Sequence, residues 1–347
     1  MADQRYPDTD GRGGVDADAV KHCLHGLTCE KAGFGLIKPQ LIQGRGICMR
    51  WNPRRVLIDL LNQNRPVRAA KALRNALIER NFRGRGVAEG LKFADEVRRT
   101  GDRRFCFVIA FNTPWVIDAM ARSWELYSSG MTLVVVDNSP KQSARTRIEE
   151  ICRARGVPYF GLPRNWERHP NRSHGTSMNW IFHNIIRPMQ PELFGFLDHD
   201  CFPIIPVDIP ATMEGKVVYG TKRRSTSDRQ AWFLWAGFCF FRFSAMENVD
   251  MDFNPRFIHG MDTGGGNWAG LYRLLGENDV LDAPATTAHL NLGEADSGHQ
   301  MLGSAFLHIG GAGYRKLINT QRYRRLVSNY LWETYLHGDE NRLVKEL

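Results

Sequence analysis

The stretch FGFLDHDCFP, residues 194–203, is the most informative in the chain, because an apolar run stops there at two carboxylates. The run before Asp198 is apolar apart from one Gly, which is typical of a strand buried on both faces. Asp198 and Asp200 stand one residue apart. In an extended chain they would point the same way and His199 the other, so we expect the two acids to converge and assign His199 no chemistry. Two such carboxylates repel each other unless a cation lies between them.

On both sides of this stretch, short apolar runs alternate with helical segments. Strands are predicted in RRFCFVIAF (103–111), MTLVVVDNSP (131–140) and VPYFGL (157–162), with helices between and after them over 112–130, 142–156 and 173–186. Ser173 is the predicted cap of the last of these helices. This order predicts an α/β fold with a mostly parallel, right-handed sheet.

The alternation weakens after residue 204. Strands are predicted in GKVVYG (215–220), AWFLWAGFCFFRFS (231–244), TTAHLNL (286–292) and SAFLHIGG (304–311), the second in a mixed sheet. A Gly-rich loop is expected to enter a helix over 262–275, and 322–336 has the pattern of an amphipathic helix.

Polar residues follow each of three predicted parallel strands. They are Asn112-Thr113, Asp137-Asn138-Ser139 and the Asp198–Asp200 pair. Ligands of such sheets bind at the carboxyl ends of the strands, so a ligand site is expected along this edge. Mg²⁺ and Mn²⁺ prefer oxygen ligands and often share them with substrate phosphates. A D-x-D triplet alone is common by chance, and acids at strand ends often serve only as caps.

Composition places the chain among globular proteins. It has 347 residues, of which 43% are hydrophobic and 24% charged. No stretch approaches the roughly 18 apolar residues of a membrane-spanning helix, and no secretory signal is visible. Seven scattered cysteines without a C-x-x-C pair predict reduced thiols in a cytoplasmic protein.

The positive charge is concentrated in residues 31–87, which hold thirteen Lys or Arg and two acids, Asp59 and Glu79. This block is typical either of a solvated helical face or of a surface that contacts an anionic membrane, a nucleic acid or an acidic partner. Aromatic residues are sparse there, which favours nucleic acid less. Helical spacing over 54–82 predicts two helices separated at Pro66, and RGRGVAEG (83–90) predicts a hinge.

The triplet Asp198-His199-Asp200 resembles the D-x-D motif of nucleotide-sugar glycosyltransferases with the GT-A fold, and in particular their family-2-like members. The resemblance extends upstream to IAFNTPWVIDAMARSW (109–124), VVVDNSP (134–140) and NRSHGTSMNWIF (171–182), and it covers residues 103–313. It implies a GT-A-like catalytic domain (101–313). Composition, charge and helical periodicity predict the other regions: a disordered leader (1–20), a basic and mainly helical extension (21–100) and a helical tail (314–347).

The resemblance also implies an activity, in which a sugar moves from a nucleoside-diphosphate donor to a hydroxyl of a glycan, lipid-linked or protein acceptor. The ion, Mn²⁺ or Mg²⁺, would be bound by Asp200 and His308, and Asp198 would reach the ribose, or the ion through water. The nucleotide pocket would be lined by Asn112, Asp137 and Asn179. The location would be cytoplasmic, and a peripheral position on the membrane is compatible with residues 31–87.

An inverting glycosyltransferase also needs a general base, which family-2 members usually place in an E-D pair. This sequence has no such pair in the expected region, and the nearest candidate is Asp262 in HGMDTGGG (259–266). Inversion is favoured over retention, although Asp262 is equally suited to cap a helix. The tryptophans Trp232, Trp235 and Trp268 are suited either to stack on sugars or to fill the core, and we expect core for at least one.

Two other functions remain open at this stage. A nucleotidyltransferase would share the α/β fold and a metal ion bound by acids. It normally has a Gly-rich, basic loop after its first strand, whereas the corresponding loop here, FNTPWV (111–116), is neither Gly-rich nor basic. A non-catalytic protein that binds nucleic acid or a membrane surface through residues 31–87 would leave the acids at the strand ends unexplained.

Overall fold

The computed structural model of the chain describes residues 64–290, 292, 298–312 and 321–338. All of them belong to one compact unit that spans Asp59–Leu347. The predicted leader, the helix before Pro66 and the end of the tail lie outside the described residues. The helices are α1 (Arg65–Arg83), α2 (Val87–Arg98), α3 (Pro114–Tyr127), α4 (Gln142–Ala154), α5 (Pro170–Ile181), α6 (Arg187–Met189), α7 (Ile209–Thr212) and α8 (Gln321–Thr334).

A seven-stranded sheet forms the centre of the described part of the chain. Its strands, numbered along the chain and given in spatial order, are β10 (Val280–Asp282), β8 (Val218–Arg224), β9 (Trp232–Arg242), β5 (Leu193–Asp198), β1 (Arg104–Ala110), β3 (Thr132–Asp137) and β4 (Tyr159–Gly161). Strands β5, β1, β3 and β4 are mutually parallel, whereas β9 runs antiparallel to both of its neighbours. The predicted α/β fold with a mostly parallel sheet flanked by helices is therefore confirmed.

The continuous apolar runs are explained by burial on both faces of this sheet. In β1, Cys106 and Val108 belong to one core layer, and Phe105 and Phe107 belong to the other. Neighbouring residues of a strand point to opposite faces, so a strand with helices on both sides must be apolar at every position.

Gly195 in β5 makes room for an aromatic side chain from the neighbouring strand. A Cβ at this position would overlap the ring of Phe240 in β9. The only interruption in the apolar run before Asp198 therefore has a packing reason, since Phe240 crosses the strand at that point.

A second, antiparallel sheet continues from the end of β5. Its order is β11 (Ala285–Thr287), β12 (Gln300–Leu302), β13 (Phe306–His308) and β6 (Cys201–Pro203), and β2 (Ser128–Ser129) pairs separately with β7 (Val207–Asp208). Only His199 and Asp200 separate β5 from β6. The pairing of β13 with β6 therefore brings residues 306–308 to the end of β5.

Three local predictions need correction. Gly86 has φ 65°, and α2 begins directly after it, so the predicted hinge over 83–90 is a short turn followed by a helix. The helix α5 begins at Pro170, which places Ser173 inside it and not at its cap. The predicted helix over 262–275 consists of two short 3-10 turns, because Gly264 has φ 97° and its neighbouring glycines favour no regular helix.

In the described ranges, every helix is too short or too polar to cross a lipid bilayer.

Candidate active site

A cavity of about 730 Å³ opens at the carboxyl ends of β1, β3, β4 and β5, along the edge where the polar strand ends were predicted to meet. Its wall is built from segments that are far apart in the sequence. Lining residues include Ile109, Asn138, Ser139, Arg145, Arg164, Asn165, Arg168, Asn171, Ser173, His174, Asp198, His199, Asp200, Trp235, Gly237, Asp262, Thr263 and His308. The parallel strands thus place a cavity with several charged and polar side chains where open α/β sheets hold their ligands.

The two acids converge through a turn and not through an extended strand. Strand β5 ends at Asp198, and His199 and Asp200 form the turn that leads into β6. One ligand atom from each of Asp198, Asp200 and His308 lies within 4.8 Å of the others. The structure therefore brings together the three residues predicted to bind the metal, by a backbone path that the sequence pattern did not indicate.

His308 reaches the acids because β13 pairs with β6. In that pairing His308 lies opposite Cys201, directly after Asp200. Its Nε2 is 3.5 Å from Asp200 Oδ1 and 3.9 Å from Asp198 Oδ2. Two backbone N–H groups just beyond His308 fix Asp200: Ile309 donates to its carbonyl oxygen at 3.0 Å, and Ala312 donates to its Oδ2 at 2.9 Å.

Asp200 is ionised despite its burial. It is 3% exposed, and desolvation acts to raise the pKa of its carboxyl. The hydrogen bond and charge of His308, helped by the N–H of Ala312, outweigh desolvation, so the net pKa lies below the usual range. Two carboxylates and an imidazole nitrogen form a donor set that suits Mn²⁺, and Mg²⁺ through its oxygens. The residues present therefore fit a hard divalent cation.

His174 is a further member of this cluster that the sequence analysis missed. Its Nε2 lies 3.7 Å from Asp198 Oδ1, and that nitrogen is buried without a hydrogen-bond partner among the described residues. Burial lowers the pKa of His174, and the nearby Asp198 opposes this only in part. Burial therefore favours the neutral form of this imidazole. In the sequence, nothing distinguishes His174 from the other ten histidines.

His199 lines the cavity, contrary to the expectation that it points away from the acids. Its Nδ1 is 3.1 Å from the carbonyl oxygen of Ile109 at the end of β1. The expectation assumed an extended chain, and the turn at His199–Asp200 removes that assumption. His199 thereby ties the turn to the neighbouring parallel strand.

Asp262, the predicted general base, also lines the cavity. Its Oδ1 accepts hydrogen bonds from Asn171 Nδ2 at 2.6 Å and from the N–H of Thr263 at 2.8 Å. Among the described residues, no donor is within hydrogen-bonding distance of Oδ2. Asn171 belongs to α5 and also lines the cavity, so this helix orients the carboxylate.

Three predicted nucleotide-binding residues do not line the cavity. Asn112 has φ 55° and joins two loops, since its N–H donates to Ser139 Oγ at 2.7 Å and its Oδ1 accepts from the N–H of Lys141 at 3.3 Å. Asp137 is fully buried and accepts from the N–H of Ser139 at 2.7 Å and from Tyr159 Oη at 3.1 Å. Both residues shape the loop whose Asn138 and Ser139 face the cavity.

Asn179, the third of them, lies in a buried network behind the site. Its Oδ1 accepts from the N–H of Phe253 at 2.7 Å, and its Nδ2 donates to Glu79 at 2.6 Å and Asp252 at 3.2 Å. Glu79 also accepts from Asn254 Nδ2 at 2.7 Å. This network joins α1 to the segment that precedes Asp262.

Only one of the three candidate tryptophans reaches the cavity. The ring centroids of Trp235 and His308 are 4.9 Å apart, and Arg223 lies over the Trp235 ring at 5.0 Å from its centroid. Trp232 packs against Trp268 at 6.3 Å between ring centroids, and neither lines the cavity. Trp235 is therefore the tryptophan placed to contact a ligand, and the expectation that at least one of the three packs in the core agrees with this arrangement.

The cavity also has a basic wall that the sequence analysis did not assign. Arg145, Arg164 and Arg168 line it. Arg145 is held by three carbonyl oxygens at the ends of β3 and β4, with Ser139 O at 2.7 Å, Leu162 O at 2.8 Å and Asp137 O at 3.3 Å. Positive charge in the same cavity as the acid cluster suits a ligand that carries phosphates.

No protein-family model matches the sequence, and no curated protein matches it. Among solved structures, a crystal structure of TarS from S. aureus aligns with a TM-score of 0.31 and 16% identity over 43% of this chain and 30% of that one. An active-site mutant of LgtC aligns with a TM-score of 0.37 and 12% identity, over 52% and 72%. The mannosyltransferase PcManGT from Pyrobaculum calidifontis, in complex with GDP-Man and Mn²⁺, aligns with a TM-score of 0.30 and 11% identity, over 50% and 57%.

The chain thus spans less than a third of TarS and somewhat more than half of the mannosyltransferase. The structures that it matches include glycosyltransferases, and the chain is similar to them at low identity over about half of its length.

Proposed function

We propose that the protein is a metal-dependent glycosyltransferase that uses a nucleotide-diphospho-sugar donor. The observation that supports this best is the cluster of Asp198, Asp200 and His308 in a cavity at the carboxyl ends of parallel strands. The cavity volume of about 730 Å³ is within the range usual for small-molecule sites.

In this proposal Asp200 and His308 would hold Mn²⁺ or Mg²⁺, and Asp198 would be a third ligand or would bind the donor's ribose. The ion, when bound, supplies Lewis-acid stabilisation of the negative charge on a departing diphosphate. The chain's own contribution in the same cavity is Arg164 and Arg168, whose positive charge would stabilise the diphosphate as well. Asn138 and Ser139, held in place by Asp137 and Asn112, form the wall for the nucleoside.

Asp262 is the proposed general base for an acceptor hydroxyl of a glycan, lipid-linked or protein substrate. Asn171 and Thr263 bind one oxygen of its carboxylate and so orient it. The other oxygen is then directed at the acceptor and takes its proton as the hydroxyl attacks the anomeric carbon. Direct attack of this kind inverts the configuration at that carbon. Trp235 provides an aromatic face for a sugar ring beside the ion.

Calorimetric titration tests the metal site without requiring the substrate. We expect Mn²⁺ to bind the wild-type protein, and UDP, GDP or dTDP to bind more tightly in its presence. Asp200→Asn is isosteric but neutral, and it is expected to weaken Mn²⁺ binding by at least about 100-fold, since loss of an outer-sphere partner alone costs roughly 10- to 100-fold. Asp95→Asn, an exposed acid paired with Arg98 on α2, is the matched control and should bind as the wild type does.

Equal Mn²⁺ binding by Asp200→Asn and the wild type would contradict the metal assignment. The products then separate the enzyme classes, because a glycosyltransferase releases a nucleoside diphosphate and a nucleotidyltransferase releases pyrophosphate. The loop after β1, which includes Asn112, contains no Gly, Lys or Arg, so no observation favours the nucleotidyltransferase.

A further inference from the structure

Helix α1 is docked with a defined side toward the protein. Phe82 is fully buried, and Glu79 accepts hydrogen bonds from Asn179 at 2.6 Å and Asn254 at 2.7 Å. Near the end of the helix, Arg83 Nη1 lies 3.2 Å from His183 Nε2. These contacts are polar except for Phe82, and together they fix the rotation of the helix about its axis.

The opposite side of α1 carries an apolar stripe that faces solvent. Leu73 is 63% exposed and Leu77 is 58% exposed. The stripe continues above and below the two leucines at helical spacing, and all of its members are exposed: Pro66, Ala69, Ala70, Leu73, Ala76 and Leu77. An amphipathic helix of a globular protein normally turns its apolar side to the core. Helix α1 does the reverse.

The charges of α1 complete the pattern. The helix has six basic residues and one acid, a net charge of 6 − 1 = +5. The acid is Glu79, and it is engaged on the docked side by two amides. Arg65 and Arg74 flank the outward stripe at helical spacing, and Arg80 lies within it; all three are exposed. Arg68 and Lys71 project toward the docked side, and Arg83 contacts His183 there.

We propose that the outward stripe of α1 docks on the surface of a membrane that contains anionic lipids. A helix with an apolar stripe flanked by Lys and Arg lies in the plane of the interface, with the stripe among the acyl chains and the cations among the headgroups. The outward side of the helix carries basic residues and no acid, so its charge is complementary to an anionic surface. The phosphates of a nucleic acid would pair with the arginines, but Leu73 and Leu77 would stay exposed to water. A lipid surface accommodates both features, so we commit to it.

Co-sedimentation of the full chain with lipid vesicles tests the surface. We expect binding to vesicles of equal parts phosphatidylcholine and phosphatidylglycerol, weak or no binding to phosphatidylcholine alone, and loss of binding as salt is raised. Equal binding to both kinds of vesicle would overturn the proposal, as would binding to an oligonucleotide of equal charge but not to vesicles.

The double variant Leu73→Glu with Leu77→Glu tests the stripe itself. Glu has nearly the helix propensity of Leu, and both positions are exposed, so the fold is expected to persist and circular dichroism checks this. We expect vesicle binding to fall at least about tenfold, from the lost apolar area and the added repulsion. Leu274→Glu, on a leucine that is 71% exposed in a 3-10 turn elsewhere, is the control and should bind as the wild type does.

The arginines have a second, graded test. Arg74→Gln and Arg80→Gln are each expected to weaken binding roughly fivefold at low salt, the effect of one basic residue near an anionic surface. Binding by the double leucine variant that matches the wild type would place the contact elsewhere in the chain and overturn the proposal. Wild-type sedimentation that depends on protein concentration but not on lipid would do so as well, because it would mean self-association through the stripe.

Discussion

Gly237 in β9 is the residue whose missing side chain gives the candidate metal site its space. A Cβ at this position would overlap the ring of Trp235 and lie 2.6 Å from Asp198 Oδ2. Neither neighbour is a flexible chain end, since the ring is packed against His308 and the carboxylate belongs to the acid cluster. Gly237 therefore preserves the distance between Asp198 and His308.

Gly237→Ala is expected to disrupt metal binding while the fold is retained. Relief of the overlap must shift Asp198 or Trp235, and overpacking of this kind costs about 1–3 kcal/mol of unfolding free energy. Calorimetry should show Mn²⁺ affinity reduced at least about tenfold, since the metal ligands must hold their geometry closely. Gly270→Ala, where no atom lies within 4 Å of an added Cβ, is the control. Undiminished Mn²⁺ affinity in Gly237→Ala would show that the acids do not depend on this space.

Among single residues, the sequence predicted the site in part. Asp198, Asp200, His308 and Asp262 all reach the cavity, because the end of a strand and a Gly-rich turn are local features of the sequence. The direction of a side chain beyond a strand end is not local. Asp137 turns back to the N–H of Ser139, so the same strand end that was predicted to bind the nucleotide supplies Asn138 and Ser139 instead.

At the scale of elements, the end of α1 and the turn into α2 are held by α5 and by the π-helical segment Phe182–Ile186 that continues it. Asn184 Nδ2 donates to the carbonyl oxygen of Arg83 at 3.1 Å, and Trp180 Nε1 donates to that of Arg85 at 2.9 Å. His183 projects from the same segment toward Arg83. The wider turn of a π segment displaces side chains from α-helical positions, and here it directs them at the end of α1.

The pH dependence of stability should report on His183. Burial lowers the pKa of this imidazole from 6.5 to about 4, and the charges of Arg83 and Arg187 add to the effect while Asp250 and Asp252 oppose it. Because the unfolded chain takes up the proton first, the unfolding free energy is highest above pH 6.5 and falls as the pH drops toward 4. Solvent screening reduces the expected contribution to about 2 kcal/mol.

Denaturant titrations between these pH values measure the effect. His183→Gln keeps an acceptor for Arg83 but cannot be protonated, so its stability should vary less with pH than that of the wild type by the stated amount. His259→Gln, at an exposed position, controls for the replacement of a histidine elsewhere in the chain. A pH profile of His183→Gln that runs parallel to the wild-type profile would contradict the assignment.

Elements with a regular hydrophobic pattern were predictable from the sequence, whereas elements that depend on long-range contacts were not. The strands β1, β3, β5 and β9 were predictable from their apolar runs, because a strand that is buried on both faces must be apolar at nearly every position. Helix α2 was missed because its glycines at the start and at Gly90 indicate flexibility. Gly90 is instead required by contact, as a Cβ there would lie 2.7 Å from the ring of Trp180. That reason is visible only in the packed structure.

At the scale of the whole molecule, cysteines are distributed through the core on both sides of the central sheet. Cys106, Cys152 and Cys201 belong to one core layer and Cys239 to the other, and all four are buried free thiols. Burial raises the pKa of each of them above its ordinary value. Thiols that are neither ionised nor accessible are poor nucleophiles.

Alkylation with iodoacetamide should therefore leave these four cysteines unmodified in the native protein. Peptide mass spectrometry is the measurement, and the same digestion after unfolding in guanidinium should show all four labelled. The rate of labelling in low denaturant then follows the opening of the core, and it should be the same for both layers if the unit unfolds as one. Rapid native labelling of Cys201, which directly follows Asp200, would show that the wall behind the acids opens without global unfolding.

The pairing of β13 with β6 also sets the order in which the site can be assembled. Asp200 is synthesised directly after β5, but its partners His308 and the N–H of Ala312 come from more than a hundred residues later. Closing so long a loop is slow compared with local helix formation. During synthesis, a ribosome will have made the parallel strands, the basic wall and Asp262 before the last ligand emerges. The nascent chain therefore contains most of the residues that line the cavity before it contains all three proposed metal ligands.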